Sequence, residues 1–343
     1  MSPEEVIFAV SELLLPERRE QALRRLAAAG LLSEKSERAL AKTLAKPSYN
    51  HRAMARHIVG AKLALDDFVA RNRFCVLSPA KALQQVPRQF GLLDELPGAP
   101  RIDTAWLSSR TVLEFGSGRK NTLNNGIILY ANGAERVFLL EPAPVDWPIT
   151  MASARMLAAE ILFDPARFNV TGGSNTDLKR RVASLEFDAV PGLAAGAPKS
   201  IDLGPIRFFT SIDLIPDGAV DLVLSSSVLE HVVDLPGEIA RLNRVCRADA
   251  VGIHTVDYST HSKLQQHKEP FDFYYIDSKL NEHRPKDIRK FFEDAGHDVQ
   301  ECGMRDADAS VIDQARLKPR FKNYRLEDLL RLQGTFFTRR VRM

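Results

Sequence analysis

The stretch Val112-Leu113-Glu114-Phe115-Gly116-Ser117-Gly118-Arg119 runs from apolar residues through an acid into two glycines separated by one serine. A chain that leaves a strand for a helix needs small residues where the backbone bends and where a ligand comes close. Gly116 and Gly118 suit both demands. Taken alone, the turn is equally compatible with a strand that merely ends in flexible residues. A dinucleotide fingerprint would carry a third glycine three residues after Gly118, where this chain has Asn121, so the G-x-G-x-x-G pattern fails. No Walker lysine motif is present either.

Two features further along give the turn a context. "RVFLLEPAP" (136–144) delivers Glu141 and Pro142 at the end of an apolar run, where a carboxylate can accept both hydroxyls of a ribose. "DLVLSSSVLEHVVDL" (221–235) opens from an apolar strand through three serines into a helical turn with Glu230 and His231. From about Trp106 onward, short apolar runs alternate with helical ones, the pattern of a parallel sheet covered by helices. The expected strands are Thr111 to Phe115, Arg136 to Leu140, Ile206 to Thr210, Val220 to Ser225, Ala250 to Val256, His297 to Cys302 and Thr335 to Val341. Helices fit between them, including Glu238 to Val245 and Pro285 to Ala295. Residues 142–205 are long for a single crossover.

Upstream, residues 3–86 place Leu, Ala, Val and Ile at three- and four-residue spacings, a helical pattern. "PGAPRID" (97–103) has linker composition. The expected organisation is a helical amino-terminal region over 1–96, a linker over 97–105, and an α/β domain over 106–343 with an insertion at about 142–205.

Composition narrows the class. Of 343 residues, 45% are hydrophobic and 27% charged, which is ordinary globular usage. The 47 Lys and Arg against 44 Asp and Glu leave a net charge of +3, too small to imply a nucleic-acid partner. Cys75, Cys246 and Cys302 lie far apart without a C-x-x-C pair, so neither a disulfide framework nor a cysteine metal site is expected. The first residues carry acids where a secretory signal would carry bases, and no apolar run approaches membrane-spanning length, so a cytoplasmic location without membrane contact is expected. Nothing in the chain sets an oligomeric state.

Over roughly residues 106–343, the chain resembles the class I S-adenosylmethionine-dependent methyltransferases. The resemblance implies a Rossmann-like seven-stranded sheet, mostly parallel with its last strand antiparallel, and S-adenosyl-L-methionine as cofactor. "LEFGSG" matches the family's first motif, which implies Glu114 near the cofactor's amino-acid end and Gly116, Ser117 and Gly118 beneath its ribose and methionine portions. Glu141 matches the ribose acid. Ser211 and Ile212 stand in the adenine loop, where many relatives have Gly-Asp, with Asp213 a displaced substitute. Ser226 closes the fourth strand beside the cofactor.

Methyl transfer from a sulfonium is an in-line displacement, and an alcohol acceptor must also lose a proton. His231 lies at the carboxyl edge where open sheets bind ligands, though it serves equally as a cap or a packing residue. Its "LEH" context resembles the metal-binding stretch of ubiquinone-pathway O-methyltransferases, but Ser227 replaces that stretch's earlier acid, and no metal is expected. "HTVDYSTH" (254–261) resembles an H-x-x-D-x-x-x-H pattern of bacterial methyltransferases encoded with surface-carbohydrate genes. There Asp257 orients His261 as a general base or accepts a substrate proton itself, or both residues merely hydrogen-bond the loop. Phe271, Phe273 and Tyr275 form a stacking wall or a strand's core face, and "DLKRRV" (177–182) and "RFKNYR" (320–325) bind anions or are solvated faces.

These residues lead to the expectation of a methyltransferase acting on oxygen of a small-molecule or glycan acceptor. Catalytically silent cofactor binding by a scaffold protein, and nitrogen, protein or nucleic-acid methylation, are the alternatives. "SSSV" where an N-P-P-Y amine clamp would stand counts against the N6-adenine version.

Overall fold

The computed structural model describes residues 3–28, 51–53, 55–56, 58–59, 80–119, 121–187, 200–259, 271, 274 and 283–341. Strand β1 (Thr111–Phe115) is buried along its whole length, as a strand covered on both faces must be. Its residues alternate between two cores. Val112 joins a cluster with Val137, Leu139, Leu222 and Leu224, whereas Leu113 and Phe115 join one with Phe138, Leu140 and Val223. This period of two puts Glu114 on the Val112 face.

The sheet grows outward from β1 through parallel pairing. On one side lie β2 (Arg136–Leu140) and β4 (Ile206–Phe209), and on the other β5 (Val220–Ser226) and β6 (Cys246–Asp257). The chain reverses its direction of growth between β1 and β5, a topological switch point. The last pair, β7 (His297–Asp306) and β8 (Arg331–Arg340), forms an antiparallel hairpin whose second strand inserts next to β6. All seven expected strands are therefore present, and the terminal one runs antiparallel to both neighbours. An eighth, β3 (Ser200–Asp202), pairs antiparallel with β4 at the edge and gives the order β3-β4-β2-β1-β5-β6-β8-β7. Three residues carry too short an alternation to be read as a strand.

The Val112 face is covered by α3 (Ala80–Leu93), α5 (Asn124–Ala131), α6 (Trp147–Phe163) and α7 (Asn175–Ala183). Helices α1 (Pro3–Leu13) and α2 (Arg19–Ala28) form a separate small core, and α4 (Thr104–Leu107) is one turn capped by Asp103. Residues 142–205 thus contribute α6, α7 and β3. Helix α6 is apolar nearly all round and sits in the core, where each fully buried Leu or Ile contributes roughly 1.5–3 kcal/mol. In α7, Arg181 donates to the carbonyl oxygens of Tyr130 (2.6 Å) and Ala134, so this arginine of "DLKRRV" ties the helix to the end of α5.

Helices α8 (Leu235–Val245) and α9 (Pro285–Asp294) cover the opposite face. Residues 307–330 extend the β7–β8 hairpin with short turns and α10 (Leu326–Leu330). A third core joins this extension to Phe271 and Tyr274. The fully buried Arg284 guanidinium pins it by donating to the carbonyls of Asp328, Leu329 and Arg331. Phe273 and Tyr275 lie outside the described residues. No helix among the described residues is long and apolar enough to cross a membrane.

Candidate functional site

The carboxyl ends of β1, β2, β4, β5 and β6 share one edge, because these strands are parallel and paired in register. At the switch point, the glycine turn is held by two backbone bonds: Gly116 N and Ser117 N both donate to Leu140 O, at 2.9 and 3.1 Å. Gly116 and Gly118 have φ of +80° and +83°, in the region that favours glycine. A Cβ on Gly116 would also come within 2.3 Å of the Val228 side chain, whereas one on Gly118 would meet open space. Val228 is delivered there by Ser227, a non-glycine residue at φ +55° whose N–H donates to Thr255 O. Ser227, directly after β5, thus makes a left-handed turn that folds the next residue over Gly116.

Glu141 lies across the turn. Its Oε2 accepts from Gly118 N at 2.8 Å and its Oε1 from Ala143 N at 3.0 Å. An ionised carboxylate has about four acceptor positions, so both oxygens keep capacity for a ligand's hydroxyls. Pro142 is exposed beside it.

Glu114 is buried on the face of α3 and α5. Its Oε1 accepts from Asn125 Nδ2, while its Oε2 is buried without a hydrogen-bond partner. Burial pushes this carboxyl up to about 8. The Asn125 bond works in the opposite direction, and the charge of Glu141 adds a smaller upward push. A narrow cleft, too tight to admit a water molecule, lies here, lined by Gln85, Gln89, Glu114, Asn125 and Ser226 among others. The Ser117 hydroxyl is also buried and without a partner. Buried polar atoms are normally satisfied, so two orphans at one turn indicate a place for a polar ligand.

On β4's side, Ser211 Oγ accepts from Asp213 N at 3.2 Å, which starts a short turn carrying the buried Ile212. On β5's side, His231 ends a single helical turn over 229–231, with 43% of its side chain exposed and its Nε2 4.0 Å from Oε1 of the fully buried Glu230. Asp257 ends β6, where its Oδ1 accepts from Ser259 N (2.9 Å) and Ser259 Oγ (2.6 Å), bonds that shape the following loop. His261 lies outside the described residues. His254, which shares the "HTVDYSTH" segment, is buried, stacked on Phe292 and bonded to Ser225 Oγ at 2.9 Å; burial pushes its imidazole down to about 3. It belongs to the core. No cluster of three or more His, Cys, Asp or Glu with metal-holding geometry occurs among the described residues.

No family model matches the chain, and no curated protein matches it. Solved structures of similar outline include an S-adenosylmethionine dependent methyltransferase from Mesorhizobium loti (12% identity, TM-score 0.39, covering 75% of this chain and 100% of that one). A SAM dependent methyltransferase from Aquifex aeolicus gives 11% identity and a TM-score of 0.38, with 82% and 98% covered. Haemonchus contortus phosphoethanolamine N-methyltransferase 2 in complex with S-adenosyl-L-methionine gives 11% and 0.41, with 86% and 60% covered. At such identities and scores no residue role passes from them to this chain.

Glu114, Gly116, Ser117, Gly118 and Glu141 therefore meet at one turn, with Ser226 on the cleft wall and Ser211 and Ile212 at the neighbouring strand end. Sequence reasoning missed Gln85, Gln89 and Asn125. The two glutamines stand four apart, on one helical face next to the apolar Val86 and Phe90, which was the available signal.

Proposed function

We propose that the protein is an S-adenosyl-L-methionine-dependent methyltransferase that methylates an oxygen of a small-molecule or glycan acceptor. The observation that carries this reading is the buried, unpartnered Glu114 Oε2, set beside a glycine turn that Glu141 closes from the next strand. The donor set fits such a cofactor. A buried carboxyl without a counter-charge, which ionises once a cation stands beside it, suits an ammonium, and a carboxylate with spare acceptor positions suits a ribose diol.

Bound there, the cofactor supplies a methyl group on a cationic sulfur for in-line displacement. Glu114 takes the ammonium and Ser117 offers its free hydroxyl at the same end. Gly118, open where a side chain would stand, allows close backbone approach, Gly116 makes room for Val228 in the turn, and Glu141 receives the ribose hydroxyls. Ile212 gives the base an apolar surface, with Ser211 beside it, and Ser226 bounds the cleft. His231, exposed at the rim above the Glu230 carboxylate, is the group that accepts the acceptor's proton. Asp257 ends β6 at the same edge, and the sequence pattern pairs it with His261 as a second candidate for that role.

Calorimetry with S-adenosylhomocysteine tests the cofactor half: binding by the wild type and none by Gly116→Arg is expected, and a wild type that gives no binding heat sinks the reading. Comparing the metabolites and surface glycans of a deletion strain with the parent for a lost methyl increment tests the acceptor half. An unchanged profile would favour the silent scaffold.

A further inference from the structure

The Glu114 carboxyl is oriented from outside the glycine turn. Asn125 Nδ2, which donates to Glu114 Oε1, donates its other hydrogen to Gln85 Oε1 at 3.1 Å. A side-chain amide has two possible orientations, and the one adopted is set by its hydrogen-bond partners. Gln85 accepts and so holds the Asn125 amide with its nitrogen toward the carboxyl. One helical turn later on the same face, Gln89 Nε2 donates to Ser225 O at 2.8 Å, which fixes α3 against the end of β5. Val86 and Phe90, packed in the main core, set the depth of the helix. The cleft beside Glu114 is thus walled by α3 on one side and by β1, α5 and β5 on the others.

We propose that Gln85 of α3 is a positioning residue of the cofactor site: acting through Asn125, it occupies Oε1 of Glu114 and leaves Oε2 directed at the ammonium of the cofactor's amino-acid end. This rests on the cofactor proposed above. Part of the affinity for that end then resides in the amino-terminal region, and the nucleoside end is independent of it.

Two ligands separate the ends. S-adenosylhomocysteine carries both, whereas 5′-methylthioadenosine keeps the nucleoside and lacks the amino acid. Calorimetry on the full chain is expected to show Gln85→Met weakening S-adenosylhomocysteine about tenfold, the scale of one hydrogen bond to a charged group. Methylthioadenosine should stay within about twofold of wild type. Asn125→Leu should give the same split, and carries the test if Gln85→Met does not fold. Arg88→Ala, on the same helix but bonded to Gln333, should change neither affinity. Equal loss for both ligands, no loss for either, or the same split in Arg88→Ala overturns the proposal. A wild type that binds neither ligand removes the proposed function first, and this inference with it.

Discussion

The two halves of the carboxyl edge are built differently. At the glycine turn, the backbone is fixed by short bonds to the neighbouring strand and its acid: Glu141 holds Gly118 N, Gly116 N and Ser117 N donate to Leu140 O, and Val228 fills the space above Gly116. At the β5–β6 rim, His231 is half exposed on a single turn and Asp257 is bonded to the loop that follows it. The first half is over-determined by the sheet. The second is set by the segments that follow β5 and β6, whose geometry the sheet does not fix.

Gly116→Arg should break the comparison most. The side chain meets Val228 at a backbone angle that favours glycine, so a stability loss of roughly 2–5 kcal/mol and complete loss of S-adenosylhomocysteine binding are expected, read by urea unfolding and calorimetry. Next comes Glu114→Gln, with a loss of roughly 10–100-fold in affinity for S-adenosylhomocysteine. This variant also has a pH signature. The folded carboxyl titrates near 8, above its ordinary 4.5, so the folded state holds a proton that the unfolded state has released, and stability falls as pH climbs from about 4.5 to 8. Urea midpoints across that window should slope down in the wild type and less in Glu114→Gln.

Glu141→Ala should weaken S-adenosylhomocysteine and methylthioadenosine alike, by about tenfold, because both keep the ribose. Equal affinities for variant and wild type would remove Glu141 from the site. The smallest effect on binding is expected from His231→Ala: S-adenosylhomocysteine affinity within about twofold of wild type, with labelled methyl transfer into cell extract falling by roughly a hundredfold or more. Unchanged transfer would take His231 out of the chemistry.

A separate acid limit is expected from the opposite core. His254 and His297 titrate near 3 and 4, below their ordinary 6.5, chiefly through burial. The folded state binds fewer protons there than the unfolded one, so stability is lost as pH falls from about 6.5 toward 3. Urea midpoints at pH 7 and pH 4 read this directly.

Much of the frame was legible in the chain. β1 and β2 were read to the residue and β4 and β5 to within one, since continuous apolar runs bounded by turn residues identify buried parallel strands. β6 begins four residues earlier, where Cys246 pairs with Val220 of β5, and β7 and β8 each run four residues longer at the hairpin end, where their antiparallel pairing continues past the apolar stretch. The seven strands produced the expected arrangement, and β3 escaped because its pairing with β4 is a tertiary fact. His254 shows a different gap: its spacing to Asp257 and His261 carries no information about which face of β6 it occupies, and packing on Phe292 put it inside.

By itself, the sequence determined the sheet, the glycine turn and the acid at the end of β2, because these follow from local patterns a few residues long. Tertiary structure alone decided what surrounds Glu114. Gln85 and Asn125 are 40 residues apart in sequence, and Val228 reaches Gly116 only through the left-handed Ser227 turn. The raised carboxyl of Glu114 depends on the removal of water by α3 and α5 packing over the strand. That desolvation is a property of elements meeting in space, which no periodicity in the chain encodes.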